Sequence, residues 1–166
     1  LGDLMDRRKY VNFTTLQRMN EVFMKRLDAM GLPVYFIVGN HDTYYKNSNE
    51  VNSLNELFSE SNYENFHYYW KEPVELDFDG LKVMLAPWIC DDNRERTFQM
   101  IRDTDARVLM GHFEIQGFEM DRGTICEHGE RADDFSKFLH VFSGHFHHKS
   151  HHKNINYLGA QYEMTW

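Results

Sequence analysis

Gly31-Leu32-Pro33-Val34-Tyr35-Phe36-Ile37-Val38-Gly39-Asn40-His41-Asp42 is the stretch that decides the fold. Pro33 cannot continue a helix, and the apolar run 34–38 behind it is typical of a strand buried on both faces. At Gly39 the run gives way to a polar turn. Upstream, Leu16, Met19, Phe23, Leu27 and Met30 follow one another at steps of three and four, which predicts an amphipathic helix over 14–30. Thr14 or Thr15 is placed to cap it and Gly31 to end it. A helix feeding a buried strand is half of a βαβ unit, so the chain reads as an α/β protein.

The rest of the sequence extends this pattern. A short helix is predicted over 51–58, with strands over 66–69 and 74–78. Asp79-Gly80 is a hairpin turn signal, and 81–86 returns as its partner. A helix over 93–103 precedes a buried strand over 107–110. Residues 113–130 have little periodicity and several glycines and read as a long functional loop. A short helix over 133–139, a strand over 140–143 and a closing hairpin of 155–158 with 162–166 complete the reading. No repeat, low-complexity run or linker interrupts the chain, so 1–166 reads as one domain, a layered sandwich of mixed sheets. Leu1-Gly2-Asp3 reads as the tail of a strand that the chain lacks, which predicts a domain cut short at its N-terminus.

Bulk properties narrow the function classes. A chain of 166 residues with 42% hydrophobic content can bury a sizeable core. No apolar run reaches the roughly 18 residues of a membrane span, and no signal peptide is visible; a cytoplasmic protein is expected. Cys90 and Cys126 lie outside any CxxC pair and read as two reduced thiols. The net charge of −8 argues against a nonspecific nucleic-acid coat. Local basic patches nevertheless exist: Arg7-Arg8-Lys9, and Lys149 with Lys153.

Four short strings carry the chemistry: Gly2-Asp3-Leu4-Met5-Asp6-Arg7, Gly39-Asn40-His41-Asp42, Gly111-His112 and Gly144-His145-Phe146-His147. Each follows a strand-like run, and open α/β sheets gather their ligands at strand C-terminal ends. Oxygen and imidazole side chains suit divalent metals. A phosphodiester repels nucleophiles; two divalent ions bind its oxygens, lower the pKa of a water and align it. Asp3 is the candidate bridging carboxylate. Asn40 offers a neutral oxygen, and His112 and His145 offer imidazoles. His145 and His147, two apart in an extended loop, can point the same way. His41 follows a ligand directly, where it can protonate a leaving group, and Asp42 is placed to orient it. Any one string alone would be an ordinary turn or a hydrogen-bonded histidine; their joint occurrence points to a metal site. His148, His151 and His152 read as solvated or substrate-facing, and His67, His128 and His140 as structural.

The set GD…GNHD…GH…GHFH resembles the calcineurin-like metallophosphoesterases over nearly the whole chain. The flanking text is similar to the nuclease subunits of tailed-phage recombination endonucleases, which are SbcD-like. It includes Tyr44-Tyr45-Lys46-Asn47 after the second motif, Ala86-Pro87-Trp88-Ile89-Cys90, Gly117-Phe118 and Tyr157-Leu158-Gly159. The resemblance implies an α/β/β/α sandwich and a Mn²⁺-dependent DNA exonuclease and endonuclease of recombination, repair or replication. It implies two metal ions: Asp3 bridges them, Asn40, His112 and His145 hold one, and His147 holds the other. His41 is then the general acid, and Arg7, Arg8 and Lys149 are candidate substrate contacts. Implied partners are DNA and an SMC-like coiled-coil ATPase, with a homodimer also open, in the cytoplasm of a phage-infected bacterium.

Two departures qualify this pattern. The family's first strand carries Asp-x-His for the second ion, and neither that strand nor ATPase-binding helices beyond the domain are present; a chain truncated at both ends is expected. Asp6-Arg7 instead resembles the GDxxDR string of phosphoprotein phosphatases. A protein phosphatase or small-nucleotide phosphodiesterase is therefore the alternative enzyme, and a noncatalytic DNA- or ATPase-binding scaffold the alternative outside enzymes.

Overall fold

The helix predicted over 14–30 forms with a change of period inside it, in a computed structural model that describes residues 1–58, 63–121 and 123–162. Helix α1 (Phe13–Arg18) is capped by Asn12, whose side chain accepts from the Thr14 N–H at 2.9 Å. The cap is thus Asn12 rather than Thr14 or Thr15. A π-helical turn (Met19–Met24) follows, and α2 (Lys25–Ala29) completes the segment. The wider turn inserts one residue, so the inward position after Met19 falls on Met24 instead of Phe23. Met24 is buried, whereas Phe23 and Met30 are exposed.

Strand β1 (Val34–Ile37), helix α3 (Ser53–Phe58) and strand β2 (Phe66–Tyr69) come next, with β1 and β2 paired in parallel as a sheet of their own. Strands β3 (Val74–Phe78) and β4 (Leu81–Ala86) form the expected hairpin. Its turn residues Asp79 and Gly80 both have positive φ, 53° and 91°, as a two-residue turn matched to strand twist requires. Helix α4 (Arg94–Asp103) and strand β5 (Val108–Gly111) follow, then β6 (Glu119–Asp121), β7 (Thr124–Ile125), a 3₁₀ turn (Ala132–Phe135), β8 (His140–Ser143), β9 (Ser150–His152) and β10 (Ile155–Tyr157). The large sheet has the order β3-β4-β5-β8-β10-β9. Its four inner strands are parallel, and both edges are antiparallel.

Side-chain alternation builds the layers. Along β4, Val83 and Leu85 join Ile37 and Val108 between the two sheets. Met84 and Ala86 face the other way, into a cluster with Ile101 of α4, Leu109, Phe135 and Val141. On the outer side of the small sheet, Met24, Leu54 and Phe58 cover Val38 and Phe66. The result is helices, sheet, sheet and helix, a mixed α/β architecture.

Two expectations need correction. The loop over 113–130 contains the β6–β7 hairpin and a bridge between Ile115 and Glu130. The helix over 133–139 shrinks to the 3₁₀ turn, with Phe135 and Phe138 buried three residues apart. Strands β9 and β10 form a hairpin, while the partner expected for 155–158 over 162–166 falls beyond residue 162 on residues that are not described. Strand β9 is polar, Ser-His-His, at a sheet edge, so no apolar alternation marked it. Residues 163–166 lie outside the described residues.

Tyr157 ties this core to the loop that follows β5. Its buried hydroxyl accepts from the Ile115 N–H at 3.1 Å and donates to the Phe113 carbonyl at 3.0 Å. Burial pushes its phenol well above the ordinary range, so it stays neutral. Tyr157→Phe should leave the Ile115 donor unpaired and cost about 1–3 kcal/mol, read by urea denaturation. Unchanged stability would mean that the loop does not depend on this bond.

Candidate metal centre

Adjacent parallel strands bring two histidines together. Gly111 of β5 pairs with Ser143 of β8, and His112 and His145 lie just beyond those strand ends. Asn40 follows β1, and Asp3 comes from the N-terminal turn. Two of these residues hold a backbone that non-glycine residues seldom adopt: Asp3 has φ 54° and His145 φ 79°. Such strain persists where the surroundings fix it, and it costs of order 1–3 kcal/mol per residue.

The surroundings here are close-packed glycines. A Cβ on Gly39 would collide with the Asp3 backbone nitrogen and Oδ1. A Cβ on Gly2 would meet the His112 ring and the Gly39 Cα. Gly39→Ala should therefore displace Asp3 and lower metal affinity by roughly 10- to 100-fold, as loss of an outer-shell support does. Calorimetric titration with Mn²⁺ checks this; unaltered affinity would show that Asp3 can shift without consequence.

The donor set fits a divalent ion. His112 Nδ1 lies 2.7 Å from the Leu1 carbonyl, which can only accept, so Nδ1 carries the proton. In the neutral ring Nε2 then presents a lone pair. It faces Asn40 Oδ1 at 3.0 Å and Asp3 Oδ2 at 3.2 Å. The same Asn40 oxygen lies 3.0 Å from His145 Nδ1. A proton on His112 Nε2 would serve one of these oxygens, whereas a divalent ion accepts lone pairs from all four side chains. Asp3, His112 and His145 have ligand atoms within 4.8 Å of one another, the one such His/Cys/Asp/Glu group among the described residues.

Electrostatics suit the same role. Burial lowers His145 to about 4, helped by the neighbouring His112, so its imidazole is neutral near pH 7. Burial alone would raise the Asp3 carboxyl, but the neighbouring His112 imidazole and the His41 N–H outweigh it. Asp3 therefore lies below the usual carboxylate range and is ionised.

His41 is exposed beside this cluster. Its backbone N–H donates to Asp3 Oδ1 at 2.7 Å, and its ring Nδ1 lies 2.7 Å from the Asp6 carbonyl. That carbonyl, not Asp42, orients the ring. The Asp42 carboxylate is buried elsewhere: it accepts from the Gly39 N–H at 2.8 Å, the Met5 N–H at 2.9 Å and the Ser53 hydroxyl at 3.1 Å. Burial pushes its carboxyl above the usual range, against the opposing pull of these backbone donors. Asp42 thus staples the first motif to the second. The expectation that it orients His41 gives way to this bracing role.

The remaining site expectations are placed as follows. His147 is exposed, outside the Asp3–His112–His145 group, and its carbonyl accepts from the Ala160 N–H at 2.8 Å. Arg7 is exposed and bonds the Tyr10 hydroxyl, while Arg8 reaches the Thr43 hydroxyl at 3.5 Å. Lys149 is exposed on the segment after His147. Cys90 and Cys126 are free and buried, and burial raises both thiols.

Sequence reasoning missed Trp88 as a site wall. Its ring lies 5.3 Å from His145 and 6.0 Å from His112. Two buried amides seat it: Asn49 and Asn93 donate to its carbonyl at 2.8 and 3.0 Å. Its backbone N–H donates to the Val38 carbonyl at 2.9 Å, joining the end of β4 to the end of β1. Asn49 and Asn93 sit in polar text with no periodicity; Trp88 in an apolar run after a strand was the available signal.

Comparison with known proteins agrees with this geometry. Residues 1–149 match the model of the calcineurin-like phosphoesterase family, and the chain belongs to that family. It is 35% identical over 164 residues to exonuclease subunit 1 of Enterobacteria phage T4, covering 99% of this chain and 47% of that protein. The chain therefore spans about half the length of that relative. Family membership carries divalent-metal binding with it. No helix among the described residues is long and apolar enough to cross a membrane.

Proposed function

We propose that this chain is the nuclease domain of a DNA exonuclease and endonuclease that hydrolyses phosphodiester bonds with two divalent ions. The observation that carries the reading is the convergence of Asp3, Asn40, His112 and His145 beside an exposed His41 whose ring is anchored to the Asp6 carbonyl. Its likeness to a phage exonuclease subunit supports DNA as the substrate.

In this reading Asn40, His112 and His145 would hold one ion, His147 would serve the second, and Asp3 would contribute to both. Bound divalent ions supply charge neutralisation at the phosphate and a nucleophile at neutral pH. Everything else falls to the chain. Asp3, ionised and gripped by the His41 N–H, ties the His41 backbone to the donor group. His41 Nδ1–H is held by the Asp6 carbonyl, so it is the second proton of the imidazolium form, on Nε2, that passes to the leaving oxygen, leaving a neutral ring with Nδ1–H still on Asp6. Arg7, Arg8 and Lys149 are the proposed phosphate contacts. Mn²⁺ is the proposed ion, the ligand set being of mixed oxygen and nitrogen type. The proposed partner is an SMC-like ATPase, and the proposed setting is recombination, repair or replication in the bacterial cytoplasm.

The test is to strip the protein of metal, restore Mn²⁺, and offer linear duplex DNA and a phosphopeptide side by side. Cleavage of DNA alone, abolished by EDTA, is expected. Hydrolysis of the phosphopeptide with DNA untouched would move the chain to the phosphatases.

A further inference from the structure

Beyond the metal ligands, the segment that carries His41 is laced to the segment after Asp3, and exposed tyrosines stand on both. Tyr10 is 65% exposed, Tyr45 52% and Tyr44 39%. Tyr44 and Tyr45 pack edge to face at 4.8 Å. A cation lies over a face of two rings: the Arg7 guanidinium 5.3 Å from the Tyr10 centroid, and the Lys9 ammonium 5.3 Å from that of Tyr44. The lacing bonds are His41 to the Asp6 carbonyl and Arg8 to the Thr43 hydroxyl. Beside them opens a recess of about 410 Å³, lined by Met5, Asp6, Arg7, Tyr10 and Val11 among others, with room for a nucleobase.

We propose that Tyr10, Tyr44 and Tyr45, with Arg7 and Lys9, form a stacking site for unpaired bases of a DNA strand on the leaving-group side of the metal centre. The proposal rests on the nuclease reading and deepens it by naming the form of the substrate. Single-stranded nucleic acid is held by aromatic faces that take bases and cations that take the phosphates between them. Both parts are present here, in a protein whose overall charge is −8, so the cations at this loop are a local concentration. Bases within a duplex hide their faces against one another, and only unpaired ones can use these rings. Asp6, whose carbonyl orients His41, is one of the residues lining the recess, which places the stacked nucleotides near the proton donor. A cation resting on a ring face is already positioned to move to a phosphate when a base replaces it.

Fluorescence anisotropy on the full chain, in EDTA so that nothing is cut, tests this with an oligothymidylate and an abasic strand of equal length. The base-bearing strand should bind at least roughly tenfold more tightly, the order expected for one good base–aromatic stack. The triple variant Tyr10→Ala, Tyr44→Ala, Tyr45→Ala should lose that gap, and its Tyr→Phe counterpart should keep it. Equal affinity for the two strands, absence of binding to either, or a gap that survives in the alanine variant overturns the proposal. The two readings separate cleanly. DNA cut with Mn²⁺ but bound without regard to bases defeats the stacking site alone. A base-dependent gap in a protein that never cuts DNA defeats the nuclease reading and leaves the stacking site standing.

Discussion

Asn40→Ala protein is expected to lose its metal and its turnover together. Asn40 supplies one oxygen that lies 3.0 Å from a nitrogen of each site histidine, so it is the hub of the cluster. Its removal deletes a direct ligand, and affinity should fall by more than the roughly 10- to 100-fold typical of losing an outer-shell partner. Turnover at a fixed Mn²⁺ concentration should drop to background. The fold should survive. Only the side chain is removed, and the Asn40 carbonyl still accepts from the Thr43 hydroxyl at 3.2 Å. Calorimetric Mn²⁺ titration beside a thermal melt of metal-free protein separates the two. A variant that keeps full affinity but melts early would mean that Asn40 is structural.

The second large effect belongs to His41. His41→Gln should retain metal and DNA binding while turnover of DNA falls by about 10²- to 10⁴-fold, the usual contribution of a positioned acid. The loss should depend on the leaving group. An alkoxide leaving from DNA needs a proton, whereas p-nitrophenolate leaves unaided. Bis(p-nitrophenyl) phosphate should therefore be hydrolysed by the variant nearly as well as by the native protein. Equal losses on both substrates would place His41 in substrate binding or metal support. Its backbone N–H on Asp3 is kept in the variant, so the side chain alone is tested.

The comparison of sequence with structure divides along physical lines. Elements with strong periodicity or turn chemistry were legible: β1 behind Pro33, the β3–β4 hairpin around Asp79-Gly80, and α4 after Asn93. The shift from Phe23 to Met24 was not, because a π-helical turn changes the period without leaving a residue-type signature. Strand β9 was invisible because an exposed polar edge needs no apolar alternation. At the site, convergence of Asp3, Asn40, His112 and His145 could be anticipated from strings placed after strands. The partner of Asp42 could not. Adjacency to His41 suggested a pair, but successive side chains on a turn diverge, and Asp42 points into the protein onto the Gly39 and Met5 N–H groups. The Asp6 carbonyl that replaces it is backbone, and no side-chain pattern announces a backbone acceptor.

The most direct test of the central claim, a metal centre built on two imidazoles, is pulsed electron paramagnetic resonance of Mn²⁺ bound to the intact protein. Nitrogen couplings from His112 and His145 are expected, beside that of His147 on the second ion, with the His145 coupling lost in His145→Gln and none affected in His41→Gln. Bound Mn²⁺ with no nitrogen coupling, or a nitrogen coupling pattern unchanged in His145→Gln, would contradict the assembly of Asp3, Asn40, His112 and His145 as a metal site.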